Sequence, residues 1–339
     1  MPSPTRQQVH IDRALTDMSV AFIQKAENFI ADKVFPIVKV QKQSDRYFVY
    51  LKEDWFRDEA EERAPATESA GGGYEIDNTP TYFCRKYAYH KDVTEEDRTN
   101  SDAPLDADQD AMEFVNQKVL LRREVQWVTQ FFTPAGAPGA RTSAWGAALL
   151  TGTRSGVAVG PVGPQFLQWS VVGSTPIEDI SAGKLAIASQ TGFKPNTLAL
   201  GANVYEALKN HDDILGRIVF TQRGFVTSDI LAALFEVDNV VVSWAVLNVS
   251  PKRVAENTNF LAGNHALLCY RPPRPALKTA SAGYTFAWTG LRGANAYGGR
   301  VLRIPVPLKG IDTERIEGEL AFDLRVIAAD LGIFYADAV

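Results

Sequence analysis

Four histidines, two cysteines and a short acidic triplet are the side chains here whose types suit chemistry. His10, His90, His211 and His265 stand apart, none with a second ligand at metal-binding spacing, and no HExxH occurs. Cys84 and Cys269 are far apart and form no CxxC, so they read as free thiols of a reducing cytoplasm. Asp212 and Asp213 beside His211 have the composition of an acid–base pair, but they follow an expected helix end and read as solvated. Asp106, Asp108 and Asp110 have the spacing of a calcium loop without its glycine or closing glutamate. Helix N-terminal charge accounts for them better. There is no GxxxxGK[ST] phosphate loop, no GxGxxG and no GxSxG elbow. Asn248–Ser250 matches a glycosylation sequon, a chance match in a cytoplasmic protein. The expectation is a chain with no catalytic, cofactor-binding or metal-binding residue, and no enzyme.

Composition narrows the class further. The 339 residues are 45% hydrophobic, enough for two domains or one elaborate one with a sizeable core. Net charge is −5, and the first forty residues are nearly balanced, so no general nucleic-acid binder is indicated. MPSPTRQQVH has no apolar core of a signal peptide, and no 18-residue apolar run predicts a membrane span.

The longest clean element is Asp106–Phe132, flanked by Pro104 and Pro134 and free of internal Pro or Gly. As a helix it would be roughly 40 Å long. Phe114, Leu121, Val125, Val128 and Phe132 fall on one stripe, and Leu120, Trp127 and Phe131 on a second. Lys118, Arg122, Gln126 and Thr129 take the polar side. Two apolar stripes predict packing against two different partners. Before it, residues 12–33 predict an amphipathic helix through Leu15, Met18, Phe22, Ala26 and Phe29. Arg46–Leu51 and Tyr82–Val93 read as strands joined by some thirty residues, far longer than a hairpin loop. That excursion holds six acidic residues in Glu53–Arg63 and the aromatics Trp55, Phe56 and Tyr74, which have no evident local core.

After the helix, residues 135–164 read as Gly-, Ala- and Pro-rich loop, and Gln165–Val172 as a short strand or connector. Residues 176–300 read as an α/β unit. Its helices are Pro176–Gln190, Asn203–Asn210 and Thr227–Glu236, the last capped by Thr227 or Ser228. Its strands are Thr197–Leu200, Asn239–Leu247 and Ala266–Tyr270, with Asn239–Leu247 expected to be the most buried. Arg300–Val306 and Arg315–Ala338 read as closing strands that must pair with something laid down earlier.

This order of elements resembles the major capsid proteins of tailed bacteriophages, the Hong Kong 97-type fold. SVAFIQKAENFIADKVFPIVKVQKQSDRYFVY (Ser19–Tyr50) is similar to their N-arm entering the E-loop, FKPNTLALGANVYEALKNHDDI (Phe193–Ile214) to the opening of their axial domain, and FDLRVIAADLGIFYADAV (Phe322–Val339) to their C-terminal strands. The resemblance implies an α+β chain divided into an N-terminal arm (1–44), an E-loop excursion (45–93), a peripheral domain with spine helix 106–132 (94–175), an axial domain (176–300) and a return to the peripheral domain (301–339). It implies a structural coat protein, made in the bacterial host cytoplasm. Its hexamers and pentamers would close an icosahedral virion shell around double-stranded DNA, bound without sequence specificity. Phe22, Phe29, Trp55, Phe56, Tyr74 and Trp127 would be subunit-interface anchors. Scaffolding would come from a separate protein or be absent. Portal and decoration proteins are further partners that the resemblance implies, and no lysine–asparagine crosslinking pair is read. Two alternatives remain: an encapsulin-type nanocompartment shell, which shares the fold, and a monomeric α/β enzyme using residues 176–300.

Overall fold

The computed structural model describes residues 24–101, 105–134, 145, 152–218, 226–276, 278–309 and 312–339. The long helix runs Ala107–Phe131, within a residue of expectation at each end. Asp106 caps it: its side chain accepts from the backbone N–H groups of Asp108 and Gln109 at 2.9 and 3.1 Å. Asp108 and Asp110 follow in the first turn, where the helix dipole favours them.

The buried face of this helix differs from both sequence stripes. It follows Ala111, Val115, Val119, Arg123, Trp127 and Phe131, with Glu124 and Val128 beside them. Phe114 is exposed, and Leu121 and Val125 are only half-buried. The reason is the charged pair Arg123–Glu124, which sits in the middle of the buried row and hides it from an apolar periodicity.

That row packs on a five-stranded sheet centred on the 13-residue strand Glu314–Val326. Arg85–Val93 pairs antiparallel along one side of it. Gly299–Pro305 and Gly283–Trp288 pair antiparallel along successive parts of the other, and Ile37–Val40 adds in parallel to Gly283–Trp288. Gly318 lets the helix come close, since a Cβ there would sit 2.5 Å from Val115 Cγ1. The C-terminal return does meet the long helix, as its apolar pattern required.

A second sheet has six strands in the order Asn239–Ser243, Thr197–Gly201, Ala266–Cys269, Gly332–Ala336, Gly152–Val157 and Phe166–Leu167. Helix Pro176–Thr191 covers one face through Ile177, Ile180 and Ile187, and closes on Gly192 at φ +72°. Helices Ala202–Lys209 and Ser228–Phe235 also fall where the sequence put them, although Thr227 makes no side-chain cap bond.

Four expectations change. Asn239–Leu247 is not the most buried strand: it breaks after Ser243 and, among the described residues, its paired part lies at the sheet's edge beside Thr197–Gly201. Thr197–Gly201, Ala266–Cys269 and Gly332–Ala336 have neighbours on both sides and are buried throughout. The 135–164 loop contains the strand Gly152–Val157, whose backbone pairing with the C-terminal strand needs no large side chains. Residues 135–144 and 146–151 lie outside the described residues. Of the 12–33 helix, residues 12–23 also lie outside, and the remainder is a 3-10 turn at Ala26–Asn28 and one α turn at Ala31–Val34. The sheets also cross the sequence boundary at 300. Gly283–Trp288 joins the first sheet and Gly332–Ala336 the second.

Candidate assembly interface

His211, His265, Cys84 and Cys269 are held in structural surroundings. His211 Nε2 is 2.9 Å from Ser174 Oγ, which resembles a nucleophile and its base. The backbone N–H of Asp213, however, donates to His211 Nδ1, so the proton sits on Nε2 and the imidazole donates to Ser174. Ser174 in turn donates to the Val171 carbonyl. The arrangement ties a loop to a helix start and leaves no base for the hydroxyl. His265 Nδ1 likewise accepts from the Asp337 N–H, and burial pushes its pKa down, towards the neutral ring. Cys84 and Cys269 are buried, and burial pushes both thiols up to about 12. Among the described residues no group of three or more His, Cys, Asp or Glu is placed to hold a metal, and no helix is long and apolar enough to cross a membrane. Asp108 turns to ion pairs with Arg98 and Arg303.

Attention therefore moves to surfaces. Residues 44–83 leave the first sheet as a narrow arm. Ser44–Arg46 pairs with Thr81–Phe83, and Val49–Tyr50 with Ile76–Asp77. The root is well anchored: Tyr82 stacks on Phe286 at 4.7 Å and 12°, and Tyr47 lies 5.5 Å from the same ring. Beyond the second ladder, helix Lys52–Trp55 brings Trp55 to 5.7 Å from Tyr74 and 6.1 Å from Tyr50. This small cluster stays open. Trp55 is 56% exposed, Phe56 60% and Tyr74 58%, and Phe48 near the root is also exposed. Residues 53–68 add seven acidic and two basic side chains, which equals the whole net charge of the chain.

The N-terminal segment behaves in the opposite way. The Glu124 carboxylate of the long helix accepts from the Ile30 and Ala31 N–H groups at 2.9 and 3.0 Å. It thereby caps the Ala31–Val34 turn, which explains why no continuous helix runs through residue 30: those donors are taken. Arg123 pairs with Asp32. Burial pushes Glu124 up to about 7 against the pull of those two hydrogen bonds and Arg123, and burial raises Asp32 against Arg123 and Arg271. Further on, Phe35 inserts among Trp127, Phe131 and Trp145 at 5.0 to 5.9 Å. Upstream, Gln24 exchanges both amide hydrogen bonds with the backbone of Val246. The segment thus ties the long helix to the backbone at Val246, just past the edge strand of the second sheet.

The six sequence-selected anchors separate accordingly. Trp55, Phe56 and Tyr74 lie together on the arm and face outward. Phe29 and Trp127 are buried inside their own subunit, so neither offers a side chain to a neighbour. Trp127 is covered by the chain's own N-terminal segment, which supplies the second partner its stripe required. Phe22 lies outside the described residues. Sequence reasoning missed the Glu124 clasp, although a carboxylate interrupting an apolar helix row was a visible signal for it.

No family model matches the chain. It is 27% identical over 335 residues to the major capsid protein of Pseudomonas phage JBD67, spanning 97% of each chain. It is 25% identical over 262 residues to that of Burkholderia phage BcepMu, covering 77% of this chain and 76% of the other. Its fold is similar to that of a phage-related protein from Bordetella bronchiseptica RB50 (TM-score 0.63, 19% identity, 93% of each chain). The capsid of the cyanophage P-SCSP1u (0.57, 12%, 98% of each) and an encapsulin complex from Synechococcus elongatus (0.55, 11%, 96% and 93%) share it too. Sequence relatives and fold agree: the chain is similar to phage major capsid proteins, and its role is that of a structural capsid protein rather than an enzyme.

Proposed function

We propose that this subunit assembles as hexamers and pentamers into an icosahedral head of the Hong Kong 97 type that encloses double-stranded DNA. The observation that carries the reading is the arm, whose open aromatic cluster and concentrated negative charge are a poor design for a lone subunit and a good one for a surface that docks. In this reading residues 45–93 are the E-loop lying across a neighbour, with Trp55, Phe56 and Tyr74 as its anchors. The N-terminal arm spans 1–44, the peripheral domain 94–175 with its spine helix, the axial domain 176–300, and the return 301–339. The strand exchange between the two sheets then ties peripheral and axial parts together. The subunit is made in the host cytoplasm and works with a portal, and with separate scaffolding and decoration proteins where the phage supplies them. Contact with DNA is non-specific, and confinement by a closed shell needs no excess of positive charge to neutralise phosphates.

The test is expression of the chain alone and with its neighbouring phage genes, followed by electron microscopy and nuclease treatment. Closed shells that protect DNA when packaging proteins are present are expected. Small uniform shells filled with protein would favour an encapsulin-like compartment, which the shared fold also accommodates. A stable monomer or dimer at every concentration would sink both.

A further inference from the structure

The arm comes close to its own subunit at three points, in and just beyond its second ladder. Lys52 pairs with Asp330 in the turn before the C-terminal strand. Lys278 Nζ lies 5.2 Å above the Tyr50 ring. The Phe56 ring comes within 4.0 Å of where a Cβ would stand on Gly192, the cap of helix Pro176–Thr191. These contacts come from three separate segments and converge on residues 50–56 of the arm. They are individually weak, because Lys52 and Asp330 are 45% and 35% exposed and the arm's aromatic rings remain open to solvent. The arm hangs on a stalk of two short two-stranded ladders, bridged between them by one backbone hydrogen bond from the Tyr47 N–H to the Pro80 carbonyl.

A contact made within one chain by an element on a narrow stalk is equally available between two identical chains, because the donor and receiver are present on every copy. We propose that the face formed by Gly192, Lys278 and Asp330 is the receiving site for the arm of a second copy of this chain, and that a lone subunit fills it with its own arm. The proposal rests on the shell reading above and specifies the surface that the arm meets. Donor and receiver lie on different parts of the subunit, so the exchanged contact is head-to-tail and propagates around a ring. Release from the parked position breaks one exposed ion pair and one cation–π contact, and each is remade on the neighbour.

The test uses charge reversal on full-length subunits. K52E alone places two carboxylates opposite each other, and D330K alone places two ammonium groups opposite each other. Each is expected to raise the concentration at which particles appear, by light scattering and electron microscopy, about fivefold or more. Both sites are surface-exposed, so circular dichroism should show each variant folded. An equimolar mixture of the two variants restores complementary pairs only between chains, and it is expected to assemble near the wild-type concentration. If the mixture stays impaired while the K52E/D330K chain assembles normally, the contact is intramolecular and the proposal is overturned. Single variants that assemble like wild type overturn it as well, with the shell reading intact. Wild-type chains that never form particles take down both.

Discussion

Phe35 lies 5.8 Å from Trp127, and Trp55 lies 5.7 Å from Tyr74, so the N-terminal segment and the arm each carry an aromatic cluster of the same spacing. The first pair is completely buried, whereas the second is more than half exposed. Ring-to-ring spacing is therefore nearly the same in both places, and the larger difference lies in what covers the rings. Around Phe35 the cover is the long helix, Trp145 and the glycine at 283, where a Cβ would stand only 2.4 Å from the Phe35 ring. Around Trp55 the cover is slight: Lys278 reaches over the Tyr50 ring, and Trp55 and Tyr74 stay more than half exposed. Acidic residues diverge in the same way. Asp32 and Glu124 are committed to internal partners, while those of residues 53–68 other than Asp54 are exposed to solvent. One tether is spent on folding, and the other is left for association.

The sharpest way to break this contrast is to truncate one ring from each cluster. Trp127→Ala removes a fully buried side chain and should cost about 3–5 kcal/mol in chemical denaturation, enough to leave little soluble protein. Trp55→Ala should change subunit stability by less than about 0.5 kcal/mol, the usual range for surface sites. If both variants lose similar stability, the arm is part of the core and the contrast fails.

The clasp gives the next largest effect, through pH. Glu124 has a pKa of about 7 in the fold against 4.5 as a free side chain, because burial outweighs its hydrogen bonds. The folded state therefore holds this proton more tightly than the unfolded state does. Its stabilising contribution is fully present below about pH 4.5 and is lost as pH rises through 7, an effect on the order of 3 kcal/mol. Asp32 is shifted in the same sense. Denaturation midpoints from about pH 5 to about pH 8 should fall less steeply in Glu124→Gln than in wild type. Parallel slopes would show that the carboxylate is not desolvated as described.

Much of this was legible from residues, and the limits are instructive. The long helix could be placed because Asp106 and the flanking prolines punctuate it, and the closing strands because an apolar run there must pair with something laid down earlier. The excursion could be recognised as an arm because its aromatics lacked local apolar neighbours, which the exposed cluster reflects. Sheet membership was not legible. Gly283–Trp288 and Gly332–Ala336 each join partners far away in sequence, and local pattern carries no label for the partner. The buried helix face was misread because Arg123 and Glu124 occupy it, and a charge satisfied by distant backbone looks the same in sequence as one in water.

The smallest effect on stability should come from the largest change to the arm. Deleting Asp54–Gly72 removes most of the acidic run together with Trp55 and Phe56, but it spares both ladders and the Tyr82–Phe286 stack at the root. None of the deleted side chains is buried, so the denaturation midpoint should hardly move. Loop closure adds little, because its entropy changes only slowly with length. Assembly should suffer severely, since the deletion takes away the exposed rings that a neighbour would cover. The two readouts must separate for the comparison to stand. A shortened subunit that is folded but forms no particles places the arm's value entirely in association. One that forms normal shells makes the open cluster dispensable, and one that fails to fold makes it core.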